Sequence, residues 1–596
     1  MTGQDIAVDP RWGEYPAGEW SDAIVQSMRL GGVERLYFVS GSEIGFYQES
    51  IARARQYGWP APEIVMVTHE SVALNAAIGE AMVSERPTAT AAHVDVGTFN
   101  YGGALHTAWR GGFPVLITAG GPPRAYPGSM PGARSDAQVW VQEARDQSGI
   151  LRDYTKMDHR LEHQDNPGFM ISRLLQIMMS DPQGPAYLVL PPETAKLKMP
   201  GTTRFPTRDQ LGVARPAWPD PADAKRVAEW LIKADNPCIL TAKSGRHQES
   251  VADLVRLAEL LAVPVMDTGR WDHLNFPTRH PLYGTGPAPS DADVLLIFEA
   301  PVPFIPPRGP GRDAKIAWVD PDPVQSRYLT MEFGADLWLP VSTSGAANAI
   351  YEAAMAMLTK ADMGRIEDRR ARLETRKQQL VIANEKAVLE ASKREQIHPR
   401  WLAYQIGQIM DDDAIMLDDS VSNSGNIRAN HWRTQPGTYF RSGGSSGGWG
   451  VGAAIGAKLA RPGSDVILAA GDGYFTFGSP LPALWTASHN EAPFLSIIFM
   501  NRSLTTGTTS LVGQYPDGAA VSAGDFTGGV FDPAPDFAKL AEAANCSGET
   551  VIDPGEVGPA LRRGLDHVRN GTPALVAVSL PTLIEEMALG GGRDGG

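Results

Sequence analysis

The chain has 596 residues, more than one hydrophobic core of ~250–300 residues accommodates, so several domains are expected. Hydrophobic residues make up 43% and charged residues 20%, which excludes a disordered chain. The formal net charge of -15 argues against a non-specific polyanion binder, and the two cysteines, Cys238 and Cys546, lack the spacing of a disulfide framework or a zinc site.

Residues 1–20 show neither a basic n-region nor an apolar h-region, so no secretory signal is expected. No apolar run approaches the ~20 residues of a membrane span. A cytoplasmic protein with no membrane and no nucleic-acid partner is expected. Short Val/Ile/Leu-rich runs then follow in order. The first group is 36–39 (LYFV), 63–67 (EIVMV), 88–93 (TATAAH), 114–119 (PVLITA) and 186–191 (AYLVLP). The second is 238–242 (CILTA), 294–300 (VLLIFEA) and 316–322 (IAWVDPD). The third is 414–419 (AIMLDD), 465–473 (DVILAAGDG), 494–501 (FLSIIFMN) and 574–580 (ALVAVSL). Near-continuous apolar runs separated by helical stretches predict parallel strands buried on both faces. The fold class is therefore α/β, with three doubly wound domains.

A polar, proline-rich stretch over 197–221 predicts a crossing linker, and the densely charged 360–398 predicts a solvated connector helix without chemistry. The domains are placed at 1–196, 215–358 and 399–596, with the linker helix at 359–398. The glycine-rich end, 590–596, is expected to be a flexible tail. No short-period repeat is present.

The most informative stretch is 465–501. An apolar strand runs into Gly471-Asp472-Gly473, a helical stretch follows, and a second apolar strand ends in Asn501. Glycines at a strand end let the backbone approach a diphosphate. Asp472 offers a hard carboxylate oxygen and Asn501 an amide oxygen, the donors Mg²⁺ takes alongside phosphate. As an isolated tripeptide, Gly-Asp-Gly is far more readily a turn after a strand. Glu70, just after the run 63–67, stands at a helix start, where an acid also suits the helix dipole.

In this context the stretch resembles the cofactor motif of the thiamine-diphosphate (ThDP) enzymes. The segment 93–124 (HVDVGTFNYGGALHTAWRGGFPVLITAGGPPR) resembles benzoylformate decarboxylases without gaps, and 275–281 (NFPTRHP) and Gly41-Ser42-Glu43 match two further positions. The resemblance implies two cofactor-binding domains flanking a Rossmann-like middle domain. It implies Asp472, Asn501 and the Ser503 carbonyl as Mg²⁺ ligands, with Arg502 where many members carry a second Asn. Cofactor contacts are implied at Gly97, Ser422 and Ser445, and at Gly447, Gly471, Gly473 and Tyr474. Glu70 would activate the aminopyrimidine ring, His93 and His280 would transfer protons, and Ser42 would orient the substrate carboxylate.

The resemblance also implies a homodimer or homotetramer with cofactor sites at subunit interfaces. In the family a bulky aliphatic residue props the cofactor into a bent shape. That position falls on Gly447, so Trp449 or another side chain must fill it. The Arg-Phe-Asp-Asp stretch of acetohydroxyacid synthases is absent, and 298–311 (FEAPVPFIPPRGPG) stands there, so FAD is not expected. The function implied is a non-oxidative 2-oxo acid decarboxylase. The alternatives are an FAD-independent acetolactate-type carboligase, a 2-hydroxyacyl lyase, and a catalytically inactive ThDP-binding protein. A nicotinamide dehydrogenase is disfavoured, because no GxGxxG follows a middle-domain strand.

Overall fold

A computed structural model of the chain describes residues 12–582 and 585, apart from 16–17, 200–202, 207–209, 215, 269–270 and 532. The expected tail at 590–596 lies outside the described residues.

Strand β1 (Trp12–Tyr15) stands outside the main sheets. Six parallel strands follow, β2 (Arg35–Phe38), β3 (Glu63–Met66), β4 (Thr88–Ala92), β5 (Val115–Gly120), β6 (Asp158–Arg160) and β7 (Ala186–Leu190), in the order β3-β2-β4-β5-β7-β6. Then β8 (Thr203–Pro206) returns to pair antiparallel with β1. The middle sheet has five parallel strands, β9 (Pro237–Thr241), β10 (Val265–Asp267), β11 (Val294–Phe298), β12 (Lys315–Val319) and β13 (Leu337–Leu339), ordered β10-β9-β11-β12-β13. The last sheet has six, β14 (Ile415–Asp419), β15 (Tyr439–Phe440), β16 (Val466–Gly471), β17 (Leu495–Met500), β18 (Ser547–Val551) and β19 (Ala574–Ser579), ordered β15-β14-β16-β17-β19-β18. The three parallel α/β units expected from the sequence are present. Among the described residues no helix is long and apolar enough to cross a membrane.

The first and last sheets share one strand order. In each, the chain steps outward on opposite sides of two central neighbours, β2 and β4 in one and β14 and β16 in the other. Such a reversal opens a crevice beyond the carboxyl ends of those strands, where doubly wound folds bind ligands.

The two outer domains meet along two helices, Glu70–Ser84 and Trp449–Ala460. Both are rich in small residues, and apart from Ser71 all but the last residues of each are buried. Small side chains let the backbones touch. A Cβ at Gly79 would lie 2.0 Å from the Ala453 carbonyl oxygen, and one at Gly456 would lie 1.8 Å from that of Ala76. Gly456→Ala should therefore lower the thermal midpoint. The helix propensity gain of about 1 kcal/mol is outweighed by an overpacking cost of ~1–3 kcal/mol, because the obstacle is backbone and cannot rotate away. A raised midpoint in differential scanning fluorimetry would contradict this packing.

The charged helix spans Lys360–Ser392, opened by a capping box between Thr359 and Asp362. It does more than connect. Arg369 is 5% exposed and donates to the carbonyls of Ala234, at 2.7 Å, and Leu261. Lys377 donates to Thr278 O at 2.8 Å and Tyr283 O at 3.0 Å. These bonds strap the helix to the middle domain, a role its polar sequence did not announce.

Candidate active site

Gly471, the last residue of β16, pairs in register with Phe499 of β17. That register places Asp472 beside the 501–503 turn. The Asp472 carboxylate accepts from Gly473 N at 2.8 Å and from Arg502 N at 2.6 Å. Arg502 adopts a left-handed φ of 56°, which turns its N–H inward. Burial pushes the Asp472 carboxyl up to about 6, against the pull of these backbone N–H groups. Asn501 Oδ1 accepts from Ser503 N at 3.2 Å, and its amide nitrogen donates to Thr505 Oγ1 at 2.8 Å. The strand pairing around this turn uses Arg502 O and Leu504 N. Among the described residues no cluster of three or more His, Cys, Asp or Glu could hold a metal. A cation here would rest on one buried carboxylate, neutral oxygens and ligand phosphates. That donor set fits Mg²⁺ with a diphosphate.

Across the crevice, β14 runs into Ser420, Val421 and Ser422. Val421 is β-branched yet has φ 50°, a strained conformation of the kind held at functional loops. The loop is pinned through Asp418, which accepts from Ser420 N at 3.0 Å, Ser420 Oγ at 2.6 Å and Tyr439 Oη at 2.6 Å. Burial pushes the neighbouring Asp419 carboxyl up to about 8, against a bond from Gly450 N. Ser422 is exposed toward solvent. Ser445 Oγ lies 3.0 Å from His106 Nε2. A Cβ at Gly447 would meet the Tyr474 ring at 2.9 Å, so that ring covers the position. Trp449, the side chain named from the sequence as a filler there, is instead 1% exposed within the hydrophobic core.

The first domain supplies a second group at the equivalent reversal. Glu70 opens its helix, behind the N-cap His69, and is 7% exposed. Its Oε2 accepts from Asn100 at 3.1 Å, and a Cβ at Gly97 would stand 3.1 Å from Oε1. Glycine at 97 thus leaves the carboxyl its room. His93 follows β4, and Ser42 and Glu43 lie in the turn Ser42–Ile44 after β2. Because β2 and β4 are neighbours, these side chains converge. His93 Nε2 is 2.7 Å from Glu43 Oε2, Ser42 Oγ donates to the same oxygen at 2.8 Å, and Gln142 donates to Glu43 Oε1 at 2.6 Å.

Within the chain, His280 stands apart from these groups. Its Nε2 pairs with Glu259 at 3.1 Å, its Nδ1 accepts from Leu282 N, and its ring packs edge-on against Phe276. All three partners belong to the middle domain. Sequence reasoning passed over Glu43, Gln142 and Asn100. Glu43 was visible beside Ser42, but nothing local marks a post-strand acid as buried. Gln142 comes from an irregular stretch with no periodic signal.

Residues 19–150 match the N-terminal TPP binding domain of thiamine pyrophosphate enzymes, and 421–578 match the C-terminal TPP binding domain. The benzoylformate decarboxylase of Pseudomonas aeruginosa is 27% identical over 452 residues, 73% of this chain and 78% of that protein. The sulfoacetaldehyde acetyltransferase of Castellaniella defragrans is 25% identical over 582 residues, 92% of this chain and 91% of that protein. The solved thiamine diphosphate-dependent 4-hydroxybenzoylformate decarboxylase of Rhodococcus jostii RHA1 superposes with a TM-score of 0.72 at 20% identity, over 95% of this chain and 99% of that one. At that identity the likeness is one of fold.

Proposed function

We propose, from a chain that belongs to the thiamine-diphosphate-dependent decarboxylase and carboligase family, that this enzyme removes CO2 from a 2-oxo acid without oxidation. The observation that carries the reading is that the residues of two proposed half-sites stand beyond the carboxyl ends of parallel strands, in two sheets of one strand order. One holds Asp472 and Asn501, the other Glu70, Ser42 and His93. Asp472, Asn501 and the Ser503 carbonyl would hold Mg²⁺. Ser422, Ser445 and the glycines 447, 471 and 473 would border the cofactor, with the Tyr474 ring in place of the missing side chain at 447. Bound thiamine diphosphate supplies the electron sink that lets CO2 leave. Glu70, with Gly97 clearing its carboxyl, would be the group that holds a proton toward the cofactor's aminopyrimidine ring. Ser42 orients the substrate carboxylate, and His93 supplies a proton.

Subunit pairing would complete the site. Val96 and Phe99, on the helix that carries Gly97, are 54% and 60% exposed, and Phe477, on the helix that opens with Asp472, is 60% exposed. Exposed apolar groups beside both half-sites suit burial in a homodimer or homotetramer. FAD has no place in this reading. After β9 and β11, Arg246 pairs with Glu299, which also accepts from Thr343 Oγ1 at 2.6 Å. Carboligation is the second reading, favoured by the span of the acetyltransferase match over 92% of the chain.

Purified protein with ThDP, Mg²⁺ and a panel of 2-oxo acids, benzoylformate and pyruvate included, tests the proposal. Cofactor-dependent CO2 with stoichiometric aldehyde is expected. Ketol in place of aldehyde would move the assignment to the ligase, and no CO2 from any acid would sink it. In the same assay His93→Ala should lose roughly 10²–10⁴ in turnover. His280→Ala, tied to Glu259, should change it by less than about tenfold. Equal losses would return His280 to the reaction.

A further inference from the structure

The carboxylate of Glu43 is 6% exposed and receives three side-chain donors, from His93 Nε2, Ser42 Oγ and Gln142 Nε2. A 2.7 Å contact to a carboxylate requires Nε2 to carry a proton. That nitrogen is therefore committed, and the ring titrates at Nδ1, which is buried with no hydrogen-bond partner among the described residues. Gly41 packs against the ring so closely that a Cβ there would lie 2.4 Å from Cδ2, which fixes its plane. Three acidic groups act on His93: Glu43 in the turn after β2, Glu70 on its helix, and Asp95 on the next helix.

We propose that Glu43 is the positioning residue of this site: its carboxylate accepts a hydrogen bond from His93 Nε2–H and its negative charge keeps the ring an imidazolium, so that His93 acts through its Nδ1–H as a proton donor and as a cation toward an anionic substrate, and not as a general base. The substrate's identity rests on the decarboxylase reading, but the charge state of His93 does not.

The electrostatics agree in sign. The hydrogen bond to Glu43 raises the His93 pKa, against the opposing effect of burial. Burial pushes the Glu43 carboxyl up, but the bonds from His93, Ser42 and Gln142 outweigh it and hold it at about 2. A raised histidine stabilises the fold fully below its ordinary value, and that contribution is lost as pH rises through the folded value. A lowered carboxyl contributes above its ordinary value and loses the contribution as pH falls toward about 2. The pair thus favours the fold between these limits.

The test is a titration of the ThDP- and Mg²⁺-loaded enzyme with Cε1-labelled histidine, the His93 resonance being assigned by its loss in His93→Ala. The wild-type midpoint should lie above the ordinary value of about 6.5. In Glu43→Gln, which keeps the shape and removes the charge, it should fall by about one unit or more. The high-pH limb of CO2 release should move down with it, while near-ultraviolet circular dichroism and the cofactor-dependent thermal shift stay as in wild type. Glu43→Asp should recover part of the midpoint. A purely structural role would leave both midpoint and limb in place. A wild-type midpoint below about 6.5, or one unmoved by Glu43→Gln, overturns the proposal. A midpoint that moves in a protein that releases no CO2 upholds Glu43 and refutes the decarboxylase reading instead.

Discussion

Glu70→Gln is expected to lower turnover by about 10²–10⁴ while leaving the cofactor bound, since that is the range lost with a positioned acid–base group. The substitution is close to isosteric. A glutamine oxygen can still accept from Asn100, and the space left by Gly97 is unchanged. What disappears is the ability to exchange a proton. The competing explanation is that Glu70 merely faces the dipole of the helix Glu70–Ser84. That role contributes about 0.3–1 kcal/mol and would appear as a small fall in thermal midpoint, with turnover intact. Measuring both quantities on one preparation separates the two. Unchanged turnover would leave a ThDP-binding protein whose activity, if any, does not pass through Glu70.

The contrast between strands read and strands missed has a physical cause. The buried central strands were legible because each is apolar on both faces, as in VLLIF of β11 or LSIIFM of β17. Apart from the β1–β8 ribbon, every unread strand is a sheet edge: β6, β10, β13, β15 and β18. An edge strand is paired on one side only and needs less apolar sequence. The three residues of β6, Asp158, His159 and Arg160, are partly exposed, and β18 reads Ser-Gly-Glu-Thr-Val. The shared order of the outer sheets was likewise hidden, because topology is set by which strands pair and not by any repeated residue pattern.

The site divides in the same way. Asp472 and Asn501 were legible because both end apolar strands, and adjacency of parallel strands does the rest. Ser42 and His93 follow β2 and β4, which are also neighbours. Glu43 and Gln142 were not legible. Their burial depends on how an irregular segment folds back over the sheet, which neither periodicity nor spacing encodes. The 2.6 Å bond between them joins residues 99 positions apart. Within the chain, His280 lies outside both groups. Its turn carries a recognisable pattern, yet Glu259 and Phe276 engage the ring within the middle domain.

Asp472→Ala should abolish the thermal shift that ThDP and Mg²⁺ together produce. A ligand present at about 100 times its Kd adds roughly 2.7 kcal/mol to the folded state, enough to read in a melting curve. Asp472 is 2% exposed, and among the described residues no cluster of three or more His, Cys, Asp or Glu could hold the cation in its place. The pH dependence follows from its environment. Burial holds the carboxyl at about 6, and only the ionised form binds metal. The wild-type shift should therefore shrink as pH falls through about 6, because protons then compete with the cation. A bound cation lowers that value in turn, so saturating Mg²⁺ should carry the loss to lower pH. The variant should show no shift at any pH. A cofactor-dependent shift that survives in Asp472→Ala would mean that the diphosphate is held without this carboxylate, and the Gly471–Gly473 turn would lose its assigned role. A shift that vanishes, with an unchanged cofactor-free melting curve, would tie the metal to the end of β16.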